Sequence, residues 1–366
     1  MIGRYRKGIS FMKRSSRIRH TWNILYRNRD AMTGDAGILE KMAYWDHSYH
    51  QLTLSTQFFI DLMMEKYEVI RFWDDSWQGG EAPSVEHING MAPAAIVFCQ
   101  LLPDPQSLKA IHCQNRIFIP MQDSIWGGER PWMNYRDANL KIISFSKKIH
   151  QLSRQNHYQS LYLQYFPRPL NDRILKTDQC SVFFWPRTNM ITWDIVKKLL
   201  GKNKIDKVYF RIFPDPGFKV SDKNILNEKR IQMPSHEDIE RYHIQFIQGW
   251  LEEKKYLEIL RDCNIYFASR PLEGIGMSFL NAMALGLCVI APDYPTANDY
   301  IISGFNGLLY DLDDPQPLNL TDVNQIGLDA QQYIKRGYEK WLRQRRKVLD
   351  YIKKQTPSWK WLIGLS

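Results

Sequence analysis

The sequence predicts an α/β protein built from two doubly wound parallel sheets, and three observations predict it. The chain of 366 residues is longer than one ordinary core requires and suits two domains. Short continuous apolar runs alternate with helical segments along most of its length, the pattern of parallel strands joined by crossover helices. That alternation breaks once, at the Pro-containing "YFPRPLNDR" of residues 165–173, and then restarts.

In order along the chain, "KMAYWD" (41–46) reads as a first strand and "LTLSTQFFIDLMMEK" (52–66) as the helix after it. "YEVIRFWD" (67–74), "AAIVFCQLL" (94–102), "RIFIPMQD" (116–123) and "LKIISFS" (140–146) read as further strands. Their unbroken apolar character is that of strands covered on both faces by helices. After the break come "CSVFFWP" (180–186), a helix at "TWDIVKKLL" (192–200), and strands at "KVYFRIF" (207–213), "HIQFIQG" (243–249), "NIYFAS" (264–269) and "LCVIAP" (287–292). The tail "YIKRGYEKWLRQRRKVLDYIKK" (333–354) places Ile334, Tyr338, Trp341, Val348 and Ile352 near one helical face and reads as a long amphipathic helix. The expected division is a basic segment over 1–30, a first domain over 31–168, a second over 175–325 and a basic C-terminal helix over 326–366. Two such sheets face each other across a cleft, and ligands bind there, outside the carboxyl ends of the strands.

Composition excludes several classes. A hydrophobic content of 44% with twelve tryptophans argues against disorder, and 24% charged residues argue against a membrane-embedded protein. No run approaches the length of a transmembrane helix, and no signal-peptide segment follows the basic N-terminus. Cys99, Cys113, Cys180, Cys263 and Cys288 are scattered and form no CxxC pair, so reduced thiols are expected and a structural zinc site is not. The net charge of +10 sits at the two ends: residues 1–29 carry nine Lys or Arg and no acid, and residues 331–360 carry ten against Glu339 and Asp350. The body is mildly acidic, which disfavours a nucleic-acid enzyme with a positive central cleft. Basic ends interleaved with Ile9, Phe11, Met12, Ile18, Trp22, Leu25 and Tyr26 suit an anionic membrane surface; the alternative is a solvated basic tail.

The stretch with the most chemistry is "PLEGIGMSFLNAMALG" (271–286). A strand delivers the chain to Arg270 and Glu273, Gly274 and Gly276 allow a tight turn, and an apolar helix begins. Helix amides at such a start, those of Ile275, Gly276 and Met277, suit a phosphate, while Glu273 can accept hydrogen bonds from sugar hydroxyls. Asn281 falls inside the helix, about two turns from its expected start. Alone, the turn is equally an ordinary helix entry, since it lacks the third glycine of the dinucleotide fingerprint.

The surrounding residues carry a resemblance. Glu273-Gly274-Ile275-Gly276, Ala282-Met283-Ala284-Leu285-Gly286, Val289-Ile290-Ala291, Asp299, Asn306-Gly307-Leu308-Leu309 and Asp314-Pro315 follow in order within 266–315. This region resembles the donor-binding part of retaining GT-B glycosyltransferases of the family-four type, glycosyl transferases group 1. The resemblance implies the GT-B fold: two facing Rossmann-like domains, the first for acceptor and the second for a nucleoside-diphosphate sugar, with no cofactor and no metal. It implies that Glu273, the first Glu of the E-x7-E motif, contacts the donor sugar. The second Glu, which accepts from the ribose, is here Asn281, so the charge and the bidentate contact are gone. It implies an Arg and a Lys for the diphosphate. Arg187 fits the first, Thr192 stands where the Lys is usual, and Arg270 is the candidate to compensate.

In the first half, "YWDHSYHQ" (44–51) gathers Asp46, His47 and His50 after the first strand, candidates for proton transfer or an ordinary polar loop. The His-x-x-His spacing has no evident third ligand. "IPMQDSIWGG" (119–128) brings Gln122, Asp123 and Trp126 to the same sheet edge, an acceptor-side loop in which Trp126 and Trp132 offer aromatic surface. The expected activity is sugar transfer from a nucleoside diphosphate to a glycan or lipid-linked glycan, with retention, in cell-surface polysaccharide biosynthesis. The expected place is the cytoplasm, peripheral at the inner membrane face. A nucleotide-sugar epimerase on the same fold and a non-catalytic binding or regulatory module stay open.

Overall fold

The structure, a computed structural model, describes residues 39–124, 135, 138–170, 179–213, 231–249 and 251–354. The basic segment 1–30 lies outside them. From Glu40 on, the chain packs as one compact unit containing two six-stranded sheets.

The first sheet is formed by β1 (Lys41–His47), β2 (Glu68–Asp74), β3 (Ala95–Cys99), β4 (Arg116–Ile119), β5 (Leu140–Ser144) and β6 (Gln159–Tyr162), in the order β2-β1-β3-β4-β5-β6. Its helices are α1 (His50–Thr53), α2 (Gln57–Met63), α3 (Val85–Met91), α4 (Pro105–Ala110) and α5 (Lys147–Gln155). The second sheet comprises β7 (Ser181–Phe184), β8 (Lys207–Ile212), β9 (Ile244–Gln248), β10 (Ile265–Phe267), β11 (Cys288–Pro292) and β12 (Leu308–Tyr310), ordered β12-β11-β10-β7-β8-β9. With it run α6 (Trp193–Leu200), α7 (His236–Arg241), α8 (Glu253–Arg261), α9 (Met277–Ala284), α10 (Ala297–Tyr300) and the closing α11 (Val323–Lys353). Every strand pairing within the sheets is parallel. The predicted fold class is the observed one.

Counted within the second sheet, the strand order reverses between β7 and β10; in the first it reverses between β1 and β3. Connections leave such switch points in opposite directions and open a crevice at the strand carboxyl ends. The crevices receive the loops after β1, β3, β7 and β10, which hold most of the residues singled out in the sequence.

Local chemistry sets the element boundaries. Asp104 caps α4 through Gln106 N (2.9 Å) and Ser107 N (3.1 Å), with Pro105 at the first helical position. Ser235 and Asp238 form a reciprocal capping box on α7. The single helix expected over 52–66 is two, because Leu54 turns left-handed (φ 53°) between α1 and α2.

One hydrophobic core runs through both lobes. Phe58 stacks on Tyr165 at 3.8 Å, and Trp341 of α11 packs edge-on against both rings. Phe166 fills the space a side chain at Gly337 would need, so the glycine lets α11 approach the first lobe's last connection. Asp299, from α10, accepts from Lys147 N at 2.7 Å and so satisfies an amide at the start of α5 across the lobes.

Candidate functional site

Glu273 leaves the carboxyl end of β10 by way of Arg270, and its residue exposure is 9%. The turn that follows is fixed from behind. The fully buried Thr296 hydroxyl donates to the carbonyls of Glu273 (2.7 Å) and Gly274 (3.3 Å). Gly276 sits at φ 82°, and a Cβ there would collide with the Phe279 ring. Gly274 faces the first lobe: a Cβ would lie 3.0 Å from Met121 Sδ and 3.2 Å from Asp123 Oδ1. Ile275 turns its side chain into the core, where it closes an apolar gap with Tyr44, Phe58 and Met121. Helix α9 begins at Met277, so Asn281 is half-buried one turn inside it rather than two.

Arg187 follows β7, the neighbour of β10. Its Nη1 is 3.9 Å from Glu273 Oε1, and its guanidinium carbon lies 5.0 Å from the centroid of the Trp185 ring. Thus Glu273, Arg187 and the glycine turn meet at the switch point of the second sheet. Thr192 caps α6 by accepting from Ile195 N at 3.4 Å. Arg270 points to the other lobe, with Nη2 3.4 Å from Asp123 Oδ2. The second oxygen of Asp123 is buried without a hydrogen-bond partner among the described residues.

On the first lobe, Asp46 is fully buried at the end of β1. Its Oδ1 accepts from His47 N (2.8 Å) and meets His50 Nδ1 at 2.7 Å; its Oδ2 accepts from Tyr44 (3.1 Å) and Thr56 (2.9 Å). A carboxylate so enclosed holds and polarises His50 rather than reaching a ligand. The His47 imidazole packs against Tyr49 (5.2 Å) and Trp77 (5.3 Å). Burial lowers its pKa to about 4, with His50 acting in the same direction and Asp46 and Asp74 opposing. His47 is therefore neutral at pH 7, and its buried Nδ1 has no hydrogen-bond partner among the described residues. Tyr49 donates to Gln100 Oε1 at 3.0 Å, and its ring packs 4.2 Å from that of His50. Burial raises its phenol, Asp123 and Asp46 raise it further, and Arg270 pulls the other way.

The structure thus brings together Asp46, His47, His50, Asp123 and Arg270 on one side, and Arg187, Glu273 and 274–277 on the other, joined through 270–274. Trp126 and Trp132 lie outside the described residues. Sequence reasoning missed Thr296, Tyr49, Trp77 and Arg211. None belongs to a motif, and it is the register of β8 against β7 that places Arg211 beside Trp185.

Residues 227–323 match the family Glycosyl transferases group 1. This glycosyl transferases group 1 segment contains β9 to β12, the glycine turn and α9. The fold is the GT-B fold, which solved structures similar to it share. Sucrose-phosphate synthase from Thermosynechococcus elongatus superposes with a TM-score of 0.57 at 14% identity, over 85% of this chain and 100% of that one. The lipopolysaccharide outer core galactosyltransferase WaaB in its apo form gives 0.56 at 14%, over 86% and 100%. Anabaena Alr3699/HepE in complex with UDP gives 0.56 at 13%, over 85% and 100%. Another match, TarM, is longer: this chain covers 54% of it, at a TM-score of 0.45. No curated protein sequence matches the chain.

Proposed function

We propose that the protein is a retaining glycosyltransferase, moving a sugar from a nucleoside diphosphate to a glycan or lipid-linked glycan in cell-surface polysaccharide biosynthesis. The observation that carries this is Glu273 beside Arg187 at the glycine turn, at the switch point of the second sheet. The glycosyl transferases group 1 match spans that turn, and a protein of the same fold binds UDP. Glu273 accepts from the donor sugar's hydroxyls. Arg187 and the amides of Ile275, Gly276 and Met277 stabilise the diphosphate, which gains charge as the sugar leaves. Asn281 makes an altered ribose contact.

His47, His50 and Asp123 face the acceptor hydroxyl from the first lobe, with Trp126 proposed on the acceptor side. Asp46 acts through His50. Neither a covalent nucleophile nor a metal is assigned; the departing phosphate assists the incoming hydroxyl. The basic ends hold the enzyme peripherally at the cytoplasmic face of the membrane, where a lipid-linked acceptor is presented. Titration with UDP, GDP and dTDP by calorimetry tests the donor site, and binding of none of them would sink it. Glu273→Ala is expected to lower transfer about 100-fold or more while the nucleoside diphosphate still binds. Full activity in that variant would remove Glu273 from the mechanism.

A further inference from the structure

A diphosphate carries more charge than one arginine neutralises. Thr192, where a second cation is usual, is spent on capping α6, and Arg270 faces Asp123 across the lobes. The second sheet holds another arginine near the same edge. Arg211 is the penultimate residue of β8, only 6% exposed. Its guanidinium carbon lies 4.2 Å from the centroid of Trp185, 5.2 Å from Tyr256 and 5.5 Å from Phe213. Trp185 is the ring on which Arg187 also rests, at 5.0 Å. The indole is fixed in turn by its Nε1–H, which donates to the Phe213 carbonyl at 2.8 Å. The two guanidinium carbons are therefore no farther apart than the sum of their distances from one ring.

Topology explains the pairing. β8 lies beside β7 with Phe210 opposite Phe184, so the next residues, Arg211 and Trp185, stand side by side at the carboxyl ends. β10, which delivers Glu273, flanks β7 on its other edge. Three adjacent strands thus bring Arg211, Arg187 and Glu273 to one edge of the sheet. Tyr256 reports the same neighbourhood: burial and Tyr266 push its phenol up, while Arg211 and Arg187 both pull it down.

We propose that Arg211 is the second diphosphate-binding cation, acting with Arg187 across the Trp185 indole. This rests on the donor site proposed above. A diphosphate received at this edge meets two guanidinium charges in a partly dry setting, where each attraction is stronger than in water. The aromatic cage holds the planar fork in position before the ligand arrives, so less side-chain freedom is lost on binding. Removing such a charge-assisted contact weakens binding by about tenfold or more.

Calorimetry on the full chain tests this with UDP, GDP and dTDP and with the nucleoside of whichever binds best. Arg211→Met is expected to raise the Kd of the nucleoside diphosphate about tenfold or more and leave the nucleoside's Kd within about twofold. An unchanged diphosphate Kd overturns the assignment. An equal loss for nucleoside and diphosphate also overturns it, because Arg211 would then only shape the scaffold. If Arg211→Met does not fold, Arg211→Lys decides, since a shorter ammonium without a fork is no substitute at a stacked site. A diphosphate Kd raised at least about threefold, with the nucleoside's unmoved, supports the proposal, and no change overturns it. Wild-type protein that binds no nucleoside diphosphate instead removes the donor site itself, a result distinct from binding that ignores Arg211.

Discussion

Asn281 offers a ribose one amide oxygen, where a carboxylate would offer two charged ones. It is half-buried one turn inside α9, behind the turn that Thr296 fixes. If it makes the ribose contact, Asn281→Glu should tighten nucleoside-diphosphate binding about tenfold, the scale of a charge-assisted hydrogen bond. The gain should vanish with a 2′,3′-dideoxy nucleoside diphosphate, and calorimetry with both ligands checks it. His47 gives a second expectation. Its folded pKa of about 4 lies below the unfolded 6.5, so between those values the unfolded chain binds a proton that the folded one refuses. Stability from this group is complete above pH 6.5 and is lost as the pH falls toward 4. Thermal melts of wild type and His47→Gln from pH 7 downward should show the shallower decline in the variant; parallel curves would mean that His47 is not held neutral by burial. Glu273 and the His47 loop stood out in the sequence, because a glycine turn and a polar βα loop have recognisable patterns, whereas Arg187 was picked out only through the family resemblance. Thr296 and Arg211 were not legible there, because their roles depend on carbonyls and rings brought close only by the fold.

Helix α11 ends on a side chain from another element. The Lys141 ammonium, from β5 and 1% exposed, donates to the carbonyls of Tyr351 (2.8 Å), Ile352 (3.1 Å) and Lys354, while Asn115 Nδ2 also donates to Ile352 (2.8 Å). These are the carbonyls a helix leaves unpaired at its C-terminus, where its dipole favours a cation. Burial lowers the Lys141 pKa to about 8, so the charge is held at a cost that these contacts offset. Lys141→Met should cost about 2 kcal/mol or more, since buried carbonyls lose their donor. Urea unfolding read by tryptophan fluorescence measures this; a midpoint within error of wild type would show that the helix end satisfies itself. At this scale the sequence was informative where strands are covered on both faces. β1, β3, β4, β5, β7, β10 and β11 announce themselves as apolar runs. β6 and β12 were missed: both are edge strands, and β6 has no fully buried residue to give it an apolar run. The split between α1 and α2 was invisible because a left-handed leucine has no sequence signature.

As a whole, the molecule spends the apolar face of its last helix on joining its lobes. Of the stripe legible in the sequence, Ile334, Trp341, Val348 and Ile352 are buried in the core and Tyr338 packs against it half-buried, with Gly337 admitting Phe166. Trp341 closes the aromatic seam with Phe58 and Tyr165, and Lys141 secures the helix end. What α11 leaves to solvent is mostly charge: Lys335, Arg336, Lys340, Arg343, Arg346 and Lys347 are exposed, with Leu342 as an isolated apolar side chain among them. No helix among the described residues is long and apolar enough to cross a membrane. An α11 that meets a bilayer therefore does so as a charged surface and not as an inserted wedge, each Lys or Arg contributing about 1 kcal/mol near anionic lipid. The screening length falls from about 10 Å at 0.1 M salt to about 3 Å at 1 M, so that attraction should be lost at high salt. The triple variant Arg343→Glu, Arg346→Glu, Lys347→Glu should abolish this helix's share of binding to phosphatidylserine vesicles at 0.1 M salt and leave the melting temperature nearly unchanged. Co-sedimentation of both proteins at the two salt concentrations measures it. Undiminished binding by the variant would acquit α11 of any membrane role, and wild-type binding that survives 1 M salt would require an apolar contact that the buried face of α11 does not offer.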